Sequence, residues 1–260
     1  MGNIGNLFIG LALVATLFSI GALTWGHRLG PKRGESLTNT GYLATFGILL
    51  GTTGAVAFLA SAFLREDFTL EYVANHHSTD VSSLTLFFRI AAVWAGREGS
   101  LLFWAWLLAM FVGWIAYRRM SITDPLSNVS LAVLNVIQFT FLVALFIPLN
   151  NPFKLSPASW VGPGGELLIR GGMNPLLEHW AMMLHPPTLF IGYAGLAVPF
   201  AFAVGALIIN DPSKLWVDIV DRITIFAWLF LGLGNGLGAV WAYVVLGWGG
   251  YWAWDPVENA

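Results

Sequence analysis

The sequence contains no cysteine. That absence excludes a disulfide scaffold, a zinc-thiolate site, cysteine-ligated iron-sulfur and an internal thiol nucleophile, so any metal or redox role falls to histidine or to a bound cofactor. Charge is scarce as well: only 10% of the residues are Asp, Glu, Lys or Arg, against 57% hydrophobic. Soluble domains average roughly 25% charged and 45–50% apolar, so this composition excludes an ordinary soluble domain and describes an integral membrane protein. The net charge of -2 carries no footprint for nucleic acid. No Walker loop, zincin helix or nucleophile elbow occurs, and the glycine-rich turns precede no nucleotide-binding strand. No cleavable signal is evident either. The first apolar run lacks a basic leader and continues at spanning length, so it reads as the first transmembrane helix.

What is present is a series of long uncharged runs. Crossing a bilayer takes about 20 largely apolar helical residues. Ile4 to Trp25, Thr40 to Leu64, Leu101 to Tyr117, Val129 to Leu149 and Ile223 to Leu246 qualify, and Met182 to Ile209 is long enough despite its prolines. The expected fold is therefore all-α and polytopic, a single membrane domain over residues 1–260 with about six spans. Arg28, Lys32 and Arg33, then Arg118 and Arg119, then Lys214 and Arg222 occupy three short connections. The positive-inside rule makes those loops cytoplasmic. The N-terminus, the segments from Arg65 to Ser100 and from Asn150 to about His185, and the C-terminal stretch then face outward.

Along the outer segments, Leu84 to Trp94 is too short to span and is expected to lie at the interface, with Arg89 snorkelling. Arg97 and Glu98 stand where the next span begins, as a helix-entry cap would. His76 and His77 are adjacent, so they point about 100° apart on a helix and read as solvated loop residues. The segment around Trp160–Gly165 and Gly171–Leu176 is a set of turns. Within the spans, Asn135 and Gln138 are placed to bond to a neighbouring helix, and Gly232, Gly234, Gly236 and Gly238 give small-residue contacts.

Two features invite chemistry. His185 precedes Pro186 and Pro187, where its backbone is expected to be pushed out of the helix. A neutral imidazole there can ligate haem iron through one nitrogen while an acceptor orients the other; the alternative is a histidine hydrogen-bonded to a carbonyl at a helix entrance. His179, six residues earlier, ranks below it. The second feature is the stretch 247–259, where Trp248, Tyr251, Trp252 and Trp254 interleave with Gly247, Gly249 and Gly250 and run into Asp255 and Glu258. Such rings either anchor a helix at the interface or form a surface for a flat apolar ligand.

The wording of this stretch, from Trp248 to Asn259, resembles the WWD box of the haem-handling proteins of cytochrome c maturation. Trp94-Ala95-Gly96-Arg97-Glu98-Gly99-Ser100 resembles the first outer motif of the CcmF/NrfE haem lyase family within that superfamily, and His185-Pro186-Pro187 resembles its outer histidine motif. The resemblance implies transient b-type haem on the WWD surface. Trp248, Gly249, Gly250, Trp252, Trp254 and Asp255 would then face haem, His185 would be an axial iron ligand, and Arg97 would pair with a propionate. It further implies delivery of haem by the chaperone CcmE, presentation of apocytochrome c by CcmH/CcmI-type subunits, and attachment to Cys-x-x-Cys-His thiols at the outer face of a bacterial inner membrane. Two departures accompany it. Arg97 stands where histidine is common in the family, and the family's second outer histidine and its two membrane-embedded histidines are absent, which points to a fragment or to a protein made in pieces. The competing expectations are a CcmC-type haem delivery protein without lyase activity and a structural subunit without haem.

Overall fold

In the computed structural model, residues 2–79, 82–122, 124–247 and 250–252 are described. Helix α1 (Gly2–Leu64) is broken at Gly30, whose φ of 78° and ψ of 171° are not helical. Glycine takes that backbone without a Cβ penalty, and Pro31 next to it lacks the N–H that would carry the helix across the break. The two arms, 2–29 and 31–64, fold back on each other: a Cβ on Gly34 would strike the Gly26 carbonyl, and one on Gly51 would lie 2.9 Å from Ala12. Among the described residues five helices are long and apolar enough to cross a membrane, and they hold six spans because the first is a hairpin.

The other four are α4 (Arg97–Arg119), α5 (Pro125–Phe146), α6 (Trp180–Ile208) and α7 (Leu215–Trp241). Between the hairpin and α4 lie the short helices α2 (Glu71–His76) and α3 (Thr85–Ala91), followed by a single 3₁₀ turn, Ala92–Trp94. The expected interfacial segment is thus helical, and Arg89 has a protein partner. Its guanidinium lies 2.6 Å from the Glu66 carboxylate. A nearby carboxylate at the end of α1 offers a better partner than headgroup water. The segment 147–179 is turns and two 3₁₀ turns, with isolated bridges Leu70–Leu155 and Val161–Leu167.

Buried polar side chains stitch the bundle where no water reaches. Ser19 Oγ donates to the Gly41 carbonyl across the hairpin at 2.7 Å, and Asn135 Nδ2 of α5 donates to Ser19 Oγ at 2.8 Å. Gln138 Nε2, one turn on, donates to the Ala105 carbonyl of α4 at 3.1 Å. The two amides expected to bond to one neighbouring helix thus join α5 to two. Such bonds lock helices that apolar contact alone would leave free to slide in lipid.

The loops sort to two ends of the bundle. At one, Asp124 caps α5 by accepting from the Ser127 N–H at 2.9 Å and binds Arg119 at 2.6 Å. Burial pushes the Asp124 carboxyl up, but the Ser127 bonds and Arg119 outweigh it and hold it below the usual carboxylate range. At the other, residues 150–179 close over the bundle: Phe153 packs on Gly2 and Gly5, and Ser78 donates to Glu178 at 2.8 Å. His76 and His77 belong to this end and are not solvated, contrary to expectation. Both are half-buried; the His76 ring lies on Tyr72, centroids 4.4 Å apart, and His77 meets Phe68 edge-on. Burial lowers the His76 pKa, opposed by its bond to the Tyr72 carbonyl and by Glu98. Burial likewise raises the Tyr72 hydroxyl, which accepts from the Gly96 N–H at 2.9 Å.

Candidate functional site

His185 lies inside α6, not in an extended segment before it. Its two prolines withhold the N–H groups that would reach the carbonyls four residues earlier, the first of which is Met182. That carbonyl accepts instead from the indole Nε1–H of Trp94 at 3.1 Å. A side chain 88 residues upstream thus replaces one of the two missing backbone donors. The entry to α6 is made by His179, whose Nδ1 accepts from the Ala181 N–H at 3.2 Å.

This difference in bonding separates the two histidines chemically. His179 Nδ1 is an acceptor, so in the neutral ring Nε2 carries the proton and has no free lone pair. His185 Nδ1 faces the Gly234 carbonyl at 2.8 Å. A carbonyl only accepts, so Nδ1 is the protonated nitrogen and Nε2 keeps its lone pair. Among the described residues no hydrogen bond engages Nε2. A peptide carbonyl orienting one ring nitrogen is the usual support for an imidazole that ligates metal through the other.

The ring has room because α7 offers it glycine. Helices α6 and α7 run antiparallel in close contact: a Cβ on Gly234 would meet the Leu189 backbone at 2.9 Å, and one on Gly238 would lie 2.6 Å from His185 Cε1. Gly232 and Gly236, on the opposite side, would meet nothing within 4 Å. The alternating glycines expected to pack therefore divide into a packing pair and an open pair. Beyond Gly238, Trp241 lies 5.9 Å from the His185 ring and donates to the Leu176 carbonyl at 3.3 Å, tying the outer loop to the top of α7.

Helix α7 then widens into a π turn, Ala242–Leu246, and leaves it at Gly247. Tyr243 and Tyr251 stack at 4.4 Å with planes 11° apart, and both rings are exposed. Trp252 is exposed, and a Cβ on Gly250 would meet no atom within 4 Å. Trp248, Gly249, Trp254 and Asp255 lie outside the described residues. Among the described residues Arg97 has its contacts elsewhere. Its guanidinium donates to the Leu149 carbonyl at 2.6 Å and lies 3.4 Å from Glu98, so the described contacts of Arg97 fasten the start of α4 to the end of α5.

Four residues shape the site in roles that the sequence did not assign them: Trp94 and Met182 as donor and acceptor, Trp241 as the ring beside His185, and Gly234 through its carbonyl. The four-residue spacing of Gly234 and Gly238 carried the signal for the close approach. Nothing local to His185 signalled Trp94. Among the described residues no group of three or more His, Asp or Glu side chains could hold a metal ion by itself, which leaves His185 as a single donor.

Comparisons with known proteins agree with this architecture. Residues 94–260 match the family described as Cytochrome C assembly protein. The cytochrome c-type biogenesis protein NrfE of Haemophilus influenzae is 39% identical over 230 residues, covering 88% of this chain and 34% of its own. CcmF of Escherichia coli K12 is 37% identical over 264 residues, covering all of this chain and 38% of its own. The solved structure of Cytochrome c Heme Lyase CcmF superposes with a TM-score of 0.80 at 33% identity, over 99% of this chain and 39% of that one. The chain thus spans a little over a third of the length of these relatives, and it belongs to the CcmF/NrfE family of cytochrome c-type biogenesis proteins, as a polytopic all-α membrane protein corresponding to their N-terminal part.

Proposed function

We propose that this chain supplies a haem-docking face and one axial iron ligand, His185, to a cytochrome c maturation complex. The observation that carries the reading is the tautomer of His185: with Nδ1 donating to the Gly234 carbonyl at 2.8 Å, Nε2 presents a lone pair from a ring held in place by two helices. The donor chemistry fits haem. Porphyrin supplies four nitrogen ligands of its own and asks the protein for one or two axial donors, which a lone imidazole satisfies where a protein-built metal site would need several side chains. Haem is the cargo that brings the reactive vinyl groups. The chain's part is to bind and orient it with His185, Trp241 and the aromatic surface around Tyr243, Tyr251 and Trp252, to which Trp248, Gly249, Gly250, Trp254 and Asp255 are proposed to contribute.

The complex is proposed to sit in the bacterial inner membrane with the His185 end on the periplasmic face. The basic loops at the opposite end support that orientation. CcmE is the proposed haem donor, CcmH/CcmI-type subunits present apocytochrome c, and thioether formation belongs to the assembled complex. Arg97 is proposed to pair with a haem propionate: its contacts with Leu149 and Glu98 both use Nη2, and the side chain is 57% exposed.

The test is His185→Ala in cells that also express an apocytochrome c with a Cys-x-x-Cys-His motif. Haem copurifying with the protein should fall strongly, and covalent cytochrome should fall with it, while the amount of protein in the membrane stays unchanged. Wild-type levels of both haem and holocytochrome would refute the assignment. Loss of haem with full cytochrome yield would limit His185 to a bystander site.

A further inference from the structure

The other end of the bundle holds a groove that the haem reading does not use. Helices α4 and α7 both lean on α6 and leave between them a cleft of about 970 Å³. That is at the upper end of the roughly 300–1,000 Å³ typical of small-molecule clefts. Its floor is Ile191 of α6, and its walls are apolar, with Met110, Phe111 and Trp114 on one side and Phe226 on the other. Phe111 and Phe226 approach each other across it at 6.3 Å.

Three arginines and one aspartate stand at its mouth: Arg118 and Arg119 at the end of α4, Arg222 and Asp218 in the first turns of α7. Their pairing decides what the mouth can bind. Arg119 is neutralised, since it lies 2.6 Å from Asp124 and also donates to Ser127. The Arg118 guanidinium lies over the Trp114 ring at 5.9 Å, and neither it nor Arg222 has an ion pair among the described residues. Two uncompensated cations against the single carboxylate of Asp218 leave the mouth with net positive charge.

The dimensions match one leaflet. Leu107 at the deep end and Arg118 at the mouth are eleven residues apart on α4, about 16 Å of helix. Half of a hydrocarbon core of about 30 Å is nearly the same length. An apolar trough one leaflet deep, capped at the interface by cations, is what a lipid with chains and an anionic headgroup requires. Basic pockets between transmembrane helices on the positively charged side are the usual form of such sites.

We propose that this groove is a binding site for an anionic phospholipid of the phosphatidylglycerol type. The phosphodiester bridges Arg118 and Arg222, the headgroup hydroxyls donate to Asp218, and an acyl chain lies along Met110, Phe111 and Trp114. Arginine suits this role because its fork gives two parallel donors to phosphate oxygens. Bound lipid would fasten α7 to α4, whose rings Phe226 and Phe111 approach each other at 6.3 Å, and would so steady the helix that carries Gly234 and Gly238.

The test is native mass spectrometry of the detergent-extracted protein, after incubation with equimolar phosphatidylglycerol, phosphatidylethanolamine and phosphatidylcholine. Phosphatidylglycerol should be retained at least fivefold over the other two. The double substitution Arg118→Gln and Arg222→Gln should erase that preference, and Lys32→Gln, on the hairpin turn at the same end, should leave it intact. Met110→Trp, which fills the trough without touching the charges, should also reduce retention. Inorganic phosphate should not displace the lipid, since it has no chains. Equal retention of all three lipids, retention unaffected by the arginine pair, displacement by phosphate, or a groove found closed by another polypeptide segment cross-linked to a cysteine placed at Trp114 would each overturn the proposal.

Discussion

The indole Nε1–H of Trp94 and the carbonyl of Met182 meet at 3.1 Å, and Met182 is the residue whose carbonyl Pro186 cannot serve. The bond is a repair: a proline at the fourth position removes a backbone donor, and a side chain from the 3₁₀ turn before α4 restores one. It also ties the turn that opens α4 to the turn that carries His185.

That relationship predicts a specific rescue. Trp94→Phe removes the donor and leaves a buried carbonyl unpaired, at a cost of about 1–3 kcal/mol. Pro186→Ala returns a backbone N–H to the same carbonyl. The double variant should therefore recover a large part of the stability and haem retention that Trp94→Phe loses, with a coupling of about 1 kcal/mol in a double-mutant cycle followed by thermal unfolding. Additive losses would mean that Trp94 acts only by filling space.

A second prediction contrasts two glycines of α7. A methyl group at Gly238 would stand 2.6 Å from His185 Cε1, so Gly238→Ala should displace the ring from the Gly234 carbonyl. Haem retention should fall about as far as in His185→Ala, with membrane insertion preserved. Gly232 has nothing within 4 Å, and there the same substitution should be neutral or stabilising by up to about 1 kcal/mol, the ordinary helix preference for alanine over glycine. Absorbance of the purified proteins per mole of polypeptide distinguishes the two outcomes.

These positions also show what the sequence made legible. The spans were readable because a bilayer demands long uncharged helices, and the basic connections do gather at one end. The joining of α5 to its neighbours by Asn135 and Gln138 was readable for the same reason: a polar amide inside lipid must find a partner. The state of His185 was not. Local rules push the residue before a proline out of helix, and the side chain that serves the Met182 carbonyl, Trp94, is far away in sequence. The partners of His77 and Arg89 were hidden likewise, because Phe68 and Glu66 are brought near by the fold, whereas Tyr72 and His76 stand four apart on α2 and meet as soon as that segment is helix. Helix α7 begins at Leu215, eight residues before its apolar run at Ile223, since Asp218, Asp221 and Arg222 can continue a helix in water.

The hairpin turn gives a third prediction. Gly30 holds φ at 78° with ψ at 171°, a region that essentially only glycine occupies and that costs an L-residue about 1–3 kcal/mol. Gly30→Ala should lower the unfolding midpoint accordingly, and since no atom lies within 4 Å of the added methyl, the loss should be strain alone. Gly30→Asn should lose about as much, because the left-handed conformation that asparagine tolerates has ψ of about +50° and not 171°. No loss for either variant, followed by thermal unfolding in detergent, would show that the turn holds a different backbone.

The two ends of the bundle should respond differently to acid. Burial lowers the His76 pKa below its ordinary 6.5, with the Tyr72 carbonyl and Glu98 working against the shift. A histidine kept neutral in the folded state is protonated first in the unfolded ensemble, so its contribution is constant above about 6.5 and stability falls as pH drops below that value. Asp124 has the same sign but acts in a lower pH window. Burial raises its carboxyl, Ser127 and Arg119 more than compensate, and its folded value lies below the ordinary 3.8. Its contribution is therefore complete above 3.8 and is lost only as pH falls through the lower folded value. Between about pH 7 and pH 5, hydrogen exchange should accelerate in α2 and its contacts while the amides around Ser127 keep their protection. His76→Gln should remove the pH dependence of the first without changing the second. If both ends loosen together in that interval, the transition is global and His76 is not the group that sets it.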